Sequence, residues 1–548
     1  MSSQVPNPSG KSQNHAWNKH DIEKAFSVRN HLLNNIAESF SWHSVNVTVK
    51  DRKTKEDRLI LSDAHGHAVA GELVALMGPS GSGKTTLLNV LAKRKAAAKA
   101  RTESHILVDG KPIGWTELRR ISSYVEQEDA LIGSLTIKET MEFAARLALP
   151  SKKERLDLIE DRLQAFGLQQ QTNSLIGTPV RKGISGGQKR RLSVASQLVT
   201  NPKILFLDEP TSGLDSAASY EVMSYIKTIA QQYRIIVIAS IHQPSTTTYK
   251  LFDKLVLLSA GKTCYNGPAH HVNDYFSRIG HPIPSDFNPA EYLLDLVNTD
   301  FATDKAAAGQ TLSDITHSWS SSSEAKSLVN IASQDVFVRT RDMTIDPPKQ
   351  PSFFTIILVL LHRSFIKSYR DVLAYGIRIA MYTGLAIMMG TVFLRLDTHQ
   401  SSIQPFTNAI FFGGAFMSFM AVAYVPAFLE DRSTFIKERA NGLYGPLAFN
   451  LSNFLIGLPY LFLITIIFSL IAYWLGNFVP DAQAFWIWIM WLFLDLVAAE
   501  SLVVFVSSIA PVFVVALAVT AFANGLWMCV GGFLVPMGTL NVFWKCKS

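Results

Sequence analysis

The feature that most constrains this chain of 548 residues is a phosphate loop close to its start. Residues 78–85 read Gly-Pro-Ser-Gly-Ser-Gly-Lys-Thr and match the pattern G-x-x-x-x-G-K-[ST] in full. The loop follows the apolar run Leu73–Met77 and opens the apolar segment Thr85–Leu91, so the sequence predicts a strand, a tight loop and a helix. This order is the context that a phosphate loop requires, and it indicates an α/β nucleotide-binding fold.

Each residue type in this loop has a chemical role. The glycines let backbone N–H groups turn toward an anion, and the N-terminus of the following helix adds its dipole. We expect Lys84 to contact the β and γ phosphates and Thr85 to ligate magnesium. The predicted nucleotide-binding residues here are Gly78, Pro79, Ser80, Gly81, Ser82, Gly83, Lys84, Thr85 and Thr86.

A second buried-strand pattern, Lys203–Pro210, ends in paired carboxylates. Parallel sheets place their ligands at the carboxyl ends of the strands, so these acids are expected beside the phosphate loop. Asp208 would hold magnesium through water, and Glu209 would polarise the attacking water as a general base. The alternative is a strand-ending turn with solvated acids, which the preceding phosphate loop makes the weaker interpretation.

A third segment, Ile184–Gln188, starts a predicted helix that runs through Gln197. A serine hydroxyl and glycine amides at a helix start form a second anion-binding nest. Read alone, such a turn is usually an ordinary loop, but its position between the phosphate loop and Asp208 favours the nest. Its members are Ser185, Gly186, Gly187 and Gln188.

In this order, together with Gln127, Asp215 and His242, these segments resemble the ATP-binding cassette superfamily. The resemblance implies a head-to-tail dimer that sandwiches two ATP molecules, each between the phosphate loop of one subunit and the nest of the other. It implies that Gln127 ligates magnesium and couples the nucleotide to a membrane part, that Asp215 acts across the dimer, and that His242 contacts the γ phosphate. The implied catalytic residues are Glu209, His242 and Gln127.

The second half of the chain has the composition of a membrane protein. Asp, Glu, Lys, Arg and His are absent from Ile379–Leu394, Ile403–Leu429, Ala440–Pro480 and Ser501–Trp544. A bilayer core of about 30 Å needs roughly 20 apolar helical residues. Buried helices of a soluble protein are the alternative, but they rarely run this long without charged faces. We therefore predict spans near residues 373–394, 406–428, 449–475, 483–507 and 512–535.

The predicted fold is an α/β P-loop domain, with a RecA-like core and a helical subdomain, followed by an all-α transmembrane domain of about five helices. The predicted divisions are a polar tail (1–37), a nucleotide domain (38–300), a linker with short helices and disorder (301–352) and a membrane domain (353–548). A hydrophobic share of 48% with 17% charged residues suits such a mixture.

Basic residues near the spans predict the orientation. They precede the first span and separate the second from the third, whereas the loop Gly476–Gln483 has none. The nucleotide domain is therefore expected in the cytosol, and the plasma membrane is the expected location. The net charge of +7 suits anionic lipid headgroups, and no basic-aromatic stripe indicates a nucleic-acid partner.

The order of the two domains narrows the resemblance to the G subfamily, the white/brown half-transporters. Further matching segments are Ser240–Ser245, Asn288–Leu293, Arg370–Asp371 and Glu438–Tyr444, and the likeness covers residues 38–544. It is closest to the cuticular-lipid type of plant half-transporters and their fungal relatives.

This resemblance implies an ATP-hydrolysing exporter of hydrophobic molecules such as lipids or secondary metabolites, working as a homodimer or heterodimer. It also implies an amphipathic connecting helix at Phe353–Asp371 and a coupling segment, Glu438–Tyr444, that touches the nucleotide domain. Cassettes usually stack an aromatic side chain on adenine. Trp42 or Phe40 is placed for this contact, although the subfamily often lacks it.

Members of this subfamily have six spans, and the sequence stops at Ser548, soon after the outer segment begins at Gly531–Pro536. A missing sixth span is the expectation. It supports an alternative function, a truncated short form that dimerises with full-length half-transporters and regulates them without transporting. Soluble chromosome or translation ATPases are excluded by the spans.

Substrate contacts leave two interpretations open. Phe412, Phe416 and Phe419 share a face of the second span, as Asn524 and Met528 do on the fifth, and by resemblance these spans line a central slot. The alternative is contact with lipid or packing between helices. Asp495 and Glu500 are acidic residues inside the fourth predicted span, and ionisable residues inside spans often have a functional role. For Glu500, an ion pair or an interface position is favoured over proton relay.

Overall fold

The computed structural model describes residues 33–51, 56–97, 100–129, 131–178, 181–299, 304–338, 350–371, 376–530 and 533–535, without the side chains of 331–338 and 530. Several predicted features lie outside these ranges. They are most of the tail 1–37, the start of the first span, parts of the linker, Gly531–Gly532 and the segment from Pro536 onward.

In the described part of the nucleotide domain, ten strands form two sheets. The first sheet is antiparallel with the order β2-β1-β4-β5, and the second has the order β10-β9-β3-β8-β7-β6. The strands are β1 (Ser39–Lys50), β2 (Asp57–Val69), β3 (Leu73–Met77), β4 (Arg101–Val108), β5 (Lys111–Pro112), β6 (Ser122–Val125), β7 (Ile204–Asp208), β8 (Ile236–Ser240), β9 (Lys254–Ser259) and β10 (Lys262–Pro268).

The second sheet positions the predicted site. Its strands β9, β3, β8, β7 and β6 run parallel, and β3, β7 and β8 are buried at every residue. Apolar runs without alternation are typical of parallel strands that are covered on both faces. The prediction of a P-loop α/β fold is confirmed. The carboxyl ends of β3 and β7 bring the phosphate loop and the paired acids to the same edge.

Helices cover both faces of this sheet and extend to the linker. They are α1 (Lys84–Leu91), α2 (Trp115–Ile121), α3 (Ile137–Ala148), α4 (Lys152–Ala165), α5 (Gly186–Leu198), α6 (Ser216–Tyr233), α7 (Thr246–Tyr249), α8 (Val272–Arg278), α9 (Pro289–Leu296), α10 (Lys305–Ser321) and α11 (Ser323–Val338). The two linker helices α10 and α11 agree with the predicted number of one or two, but with 17 and 16 residues they are longer than predicted. Composition did not reveal that Asp304 caps α10 and that Trp319 packs on Tyr265 and Tyr275.

Seven helices follow among the described residues of the membrane domain. They are α12 (Phe353–Arg370), α13 (Ile377–Val392), α14 (Ile403–Met420), α15 (Val425–Ala440), α16 (Pro446–Leu475), α17 (Ala482–Ile509) and α18 (Phe513–Val530). Within the described residues, three helical stretches are long and apolar enough to cross a membrane: Gln400–Ala440, Pro446–Leu475 and Ala482–Ile509. Shorter apolar helices, Ile377–Val392 and Phe513–Cys529, lie at the first and fifth predicted spans.

Polar side chains tie these apolar helices together. Arg378 on α13 forms an ion pair with Glu500 on α17, and their exposed fractions are 4% and 8%. The prediction of an ion pair for Glu500 is confirmed. On the same helix, Asp495 accepts a hydrogen bond of 2.6 Å from the Ser418 hydroxyl, and Asn524 donates to the Ser418 carbonyl at 3.0 Å. Pairing of this kind reduces the cost of placing polar groups in an apolar medium.

Candidate functional site

The phosphate loop has a backbone that only glycine adopts readily. Gly78, Gly81 and Gly83 have φ angles of +153°, +77° and +101°. A Cβ on Gly78 would lie 2.0 Å from the carbonyl oxygen of Leu258, whereas nothing lies within 4 Å of a Cβ on Gly81. The loop is therefore packed against β9 at its start and open at its centre, where an anion has room to approach.

Gly78→Ala is expected to destabilise the nucleotide domain by about 2–4 kcal/mol. The energetic cost of the strained backbone adds to the cost of the steric overlap between the new Cβ and the Leu258 carbonyl. The measurement is the melting temperature of the purified full chain. Gly309→Ala is the matched control, since Gly309 lies in helix α10 with nothing within 4 Å of its Cβ position. Equal melting temperatures for the two variants would contradict the strain argument.

Polar groups in this loop fit a phosphate chain. The Lys84 ammonium donates to the carbonyls of Gly78 at 2.7 Å and Pro79 at 2.9 Å, which holds it over the loop. Burial lowers the pKa of Lys84 below its ordinary value, and the charges of Glu209 and Asp208 oppose that shift. The hydroxyl of Ser82 is buried and has no hydrogen-bond partner within the described residues. Such an orphaned donor fits an anionic ligand.

Asp208, at the end of β7, accepts hydrogen bonds from three hydroxyl groups. Its Oδ1 accepts from Thr85 at 3.0 Å and from Ser240 at 2.7 Å, and its Oδ2 accepts from the Tyr124 hydroxyl at 3.3 Å. Thr85 and Asp208 offer the oxygen ligands that Mg²⁺ prefers. Over the described part of the chain, no three His, Cys, Asp or Glu residues form a metal-holding group. Thr85 and Asp208 would hold such an ion together with phosphate and water oxygens.

Glu209 lies next to Gln127. The Gln127 amide donates to Oε2 of Glu209 at 2.8 Å, and the Glu209 backbone N–H donates to the Ser240 hydroxyl at 2.8 Å. Glu209 has a φ of +46°, which is uncommon for a residue with a side chain and recurs at functional sites. The fold thus fixes this carboxylate beside Asp208, with Gln127 close to it.

The serine-glycine nest starts helix α5 and is open to solvent. Ser185 and Gln188 form a capping box, in which the Ser185 hydroxyl accepts from the Gln188 N–H and the Gln188 side chain accepts from the Ser185 N–H. Ser185 and Gly186 are exposed, and a Cβ on Gly186 would meet nothing within 4 Å. No hydrogen bond or ion pair between described residues joins this nest to the phosphate loop.

The remaining predicted residues are also at the surface. Asp215 is exposed and caps helix α6 by accepting from the Ala218 N–H at 2.7 Å. His242 is exposed two residues after the end of β8. A single chain thus brings Thr85, Asp208, Glu209 and Gln127 together, while its nest, Asp215 and His242 face outward.

Arg190 is a residue of this site that the sequence interpretation missed. It is 3% exposed, and its guanidinium donates to the carbonyls of Glu126, Asp208 and Glu209, and to Asp129 Oδ1 at 3.0 Å. Helix α5 is thereby tied to the Gln127 loop and to the acidic strand end. The sequence feature that pointed to Arg190 was its position two residues after Gly186-Gly187-Gln188. Because Lys189 and Arg191 are also basic, the three residues together resembled the solvent-exposed face of a helix.

The expectation of an adenine-stacking aromatic is wrong for both candidates. Phe40 and Trp42 are 0% exposed and pack in the core under the antiparallel sheet. The Trp42 ring fills the space beside Gly66, where a Cβ would lie 2.1 Å from it. Both side chains point inward because strand β1 alternates, and a face that fills the core cannot also face a nucleotide base.

Among the described residues, the nucleotide domain contacts the connecting helix α12, Lys437 near the end of α15, and the coupling segment, where Arg119 donates to the Ala440 carbonyl at 2.9 Å. From the connecting helix α12, Arg370 forms a bidentate ion pair with Glu139 of α3 at 2.7 and 3.0 Å. Arg363 of the same helix pairs with Glu438 at 2.5 and 3.0 Å, which fixes the coupling segment Glu438–Tyr444. Burial opposes the charge on Arg363, but the pKa is raised because Glu438 lies against it.

Comparisons with known proteins agree with this architecture. Residues 61–212 match the family model described as "ABC transporter", and residues 355–546 and 242–332 match two models described as "ABC-2 type transporter". The chain is 38% identical to ABC transporter G family member 1 of Petunia hybrida over 515 residues, covering 92% of this chain and 80% of that protein. It is 35% identical to ABC transporter G family member 11 of Arabidopsis thaliana, covering 94% of this chain and 76% of that protein. It is 32% identical to ABC transporter G family member 22 of Dictyostelium discoideum, covering 93% of this chain and 82% of that protein.

Proposed function

This chain belongs to the ABC transporter G family, and from this premise we propose that it exports hydrophobic molecules, such as lipids or secondary metabolites, as a homodimer or heterodimer. ATP-driven membrane transport and the ATPase activity that powers it follow from the family itself. The alternative of a regulatory short form is not favoured, because family models match both the nucleotide half and the membrane half.

The nucleotide site supports the chemistry of ATP hydrolysis. Bound ATP supplies the phosphoanhydride bond, and Mg²⁺ would supply positive charge at the phosphates, held by Thr85 and Asp208 with Gln127 close by. Lys84 neutralises developing negative charge from its fixed place over the loop. Glu209 accepts a proton from the attacking water, and Gln127 orients its carboxylate.

A second subunit completes the proposed site. The exposed nest of Ser185 and Gly186 would bind the phosphates held by the partner's loop, and Asp215 and His242 would act at the same interface. This arrangement is supported by their outward position, since a helix N-terminus with free glycine amides favours anions and no described hydrogen bond joins it to its own phosphate loop. ATP binding would then bring the two nucleotide domains together.

The proposed orientation places the nucleotide domain in the cytosol and the chain in the plasma membrane. Lys437 and Arg439 lie in the last turn of α15, where the helix meets the nucleotide domain, and Arg432 lies near the middle of the same helix. The loop Gly476–Gln483 at the opposite end of α16 has no basic residue. Basic residues favour the cytosolic side. A hydrophobic substrate is supported by the apolar, aromatic faces of α14 and α18 that carry Phe412 and Met528.

One observation carries this proposal: Thr85, Asp208, Glu209 and Gln127 form one hydrogen-bonded cluster in a domain that is ion-paired to the connecting helix α12 of the membrane domain. The test uses the full chain in proteoliposomes, with a long-chain fluorescent lipid, a flat aromatic dye and a water-soluble sugar as probes. We expect ATP-dependent movement of an apolar probe and none of the sugar. ATP hydrolysis without movement of any apolar probe would contradict the proposal.

The dimeric site makes a separate prediction about mixed dimers. In a Glu209→Gln background, a Lys84→Met chain is paired with a Ser185→Arg chain through two affinity tags. If each site uses the loop of one chain and the nest of the other, one site carries both defects and the second carries neither. We expect trapped ATP at about half the amount of the Glu209→Gln dimer. Sites built within single chains would give no trapped ATP, and this result would contradict the head-to-tail arrangement.

A further inference from the structure

Asn441 of the coupling segment makes four hydrogen bonds to the nucleotide domain. Its Oδ1 accepts from the Tyr124 N–H at 3.1 Å and from Arg94 Nη2 at 2.6 Å. Its Nδ2 donates to the Tyr124 carbonyl at 3.1 Å and to Gln197 Oε1 at 2.9 Å. One side chain from the membrane domain therefore bonds three separate segments of the nucleotide domain.

The bonds to Tyr124 occupy the open edge of the parallel sheet. Strand β6 is the last strand of that sheet and pairs only with β7 among the described strands. The Asn441 amide both donates to and accepts from the main chain of Tyr124, as a neighbouring strand would. Gln127 follows three residues later, so Asn441 holds the strand that leads directly to the Gln127 loop.

The other two bonds reach the far ends of the two phosphate-facing helices. Gln197 is one residue from the end of α5, which begins at the serine-glycine nest. Arg94 follows helix α1, which begins at Lys84 of the phosphate loop. The 13 residues of α5 span about 20 Å at 1.5 Å per residue. If the helix moves as a rigid body, a shift at the nest also moves Gln197, which is bonded to Asn441.

Tyr124 connects Asn441 to Asp208, the acid that is proposed to hold magnesium. The Arg94 guanidinium lies 4.1 Å from the centre of its ring, and its hydroxyl donates to Asp208 Oδ2 at 3.3 Å. Tyr124 is 5% exposed, so its hydrogen bond to the carboxylate is shielded from solvent.

We propose that Tyr124 is a positioning residue for Asp208 and that Asn441 couples this residue to the membrane domain. The hydroxyl of Tyr124 fixes Oδ2, which leaves Oδ1 of Asp208 facing Thr85 for the metal. Because Asn441 clamps the Tyr124 main chain, the geometry of the metal site and the position of the coupling segment depend on each other. This route runs from Asp208 to the membrane domain without passing through Gln127.

The first test measures ATPase activity of the full chain in lipid against magnesium concentration. Tyr124→Phe should raise the half-saturating magnesium concentration roughly threefold to tenfold, a larger change than the fall in maximal rate, because one hydrogen bond to a carboxylate is lost. Asn441→Leu should shift it in the same direction. Gln350→Ala is the matched control, since Gln350 bonds the Gly442 carbonyl at 3.4 Å but has no bond to Tyr124.

The inference rests on the proposed exporter only for its second readout, the amount of apolar probe moved per ATP hydrolysed. We expect this ratio to fall at least about fivefold in Asn441→Leu and to stay at the wild-type value in Gln350→Ala. A magnesium dependence of Tyr124→Phe or Asn441→Leu equal to that of the wild type would overturn the inference. If the wild type moves no probe, the proposed function fails, and the magnesium test still decides the inference.

Discussion

Glu209→Gln is expected to lower the ATPase rate about 10²-fold to 10⁴-fold, the usual contribution of a positioned general base. The amide has the shape of the carboxylate and still accepts a hydrogen bond from Gln127, but it cannot take a proton from water. Affinity for ATP should change little, because Lys84 and the loop amides are untouched. The measurement is phosphate release at saturating ATP, beside equilibrium binding of labelled ATP to the same protein.

Glu160→Gln is the matched control for this substitution. Glu160 is exposed on α4, outside the nucleotide site, so the variant should hydrolyse ATP at the wild-type rate. A Glu209→Gln protein that retains more than about a tenth of the wild-type rate would assign the general base to another group.

Lys84→Met is expected to abolish measurable ATPase activity and to weaken nucleotide binding. The ammonium is held by the Gly78 and Pro79 carbonyls, so a methionine removes a cation whose position is already fixed when charge develops on the phosphates. Removal of such a preorganised group costs about 3–4 kcal/mol of barrier, or about 10²-fold to 10³-fold in rate. The measurement is again phosphate release, with the ATP concentration varied to separate binding from turnover.

Lys153→Met serves as the control, because Lys153 is exposed in the first turn of α4. It removes one positive charge from the nucleotide domain without touching the loop. A Lys84→Met protein with wild-type turnover at high ATP would show that the ammonium aids binding alone, against the role given to it here.

The sequence predicted the nucleotide site well because its motifs act through local backbone rules. A phosphate loop needs glycines in a fixed order between a strand and a helix, so Leu73–Met77 and Lys84–Leu91 follow from short stretches of sequence. The pairing of Thr85 with Asp208 also follows, since parallel strands end at one edge. Arg190 was missed because most of its partners are main-chain carbonyls, which carry no residue-specific signal.

Tertiary packing decided what the sequence pattern left open. Trp42 and Phe40 were candidates for adenine by residue type, but the register of β1 against β2 points both into the core. The sequence predicted short helices in the linker, and the described part of the linker forms two longer ones, α10 and α11. Trp319 of α10 packs against Tyr265 and Tyr275 on the nucleotide domain, a contact that the linker's composition does not reveal. The partner of Glu500 could not be chosen from sequence, because Arg378 is 122 residues away and on another helix.

The most direct test of the account measures hydrolysis and transport in the same vesicles. ATP is added outside proteoliposomes, so that only chains whose nucleotide domain faces outward are active. We expect an apolar probe to accumulate inside with wild-type protein, and we expect Glu209→Gln to abolish accumulation and hydrolysis together while it still binds ATP. Accumulation at the wild-type rate in Glu209→Gln vesicles would contradict the claim that hydrolysis at this site drives the membrane helices.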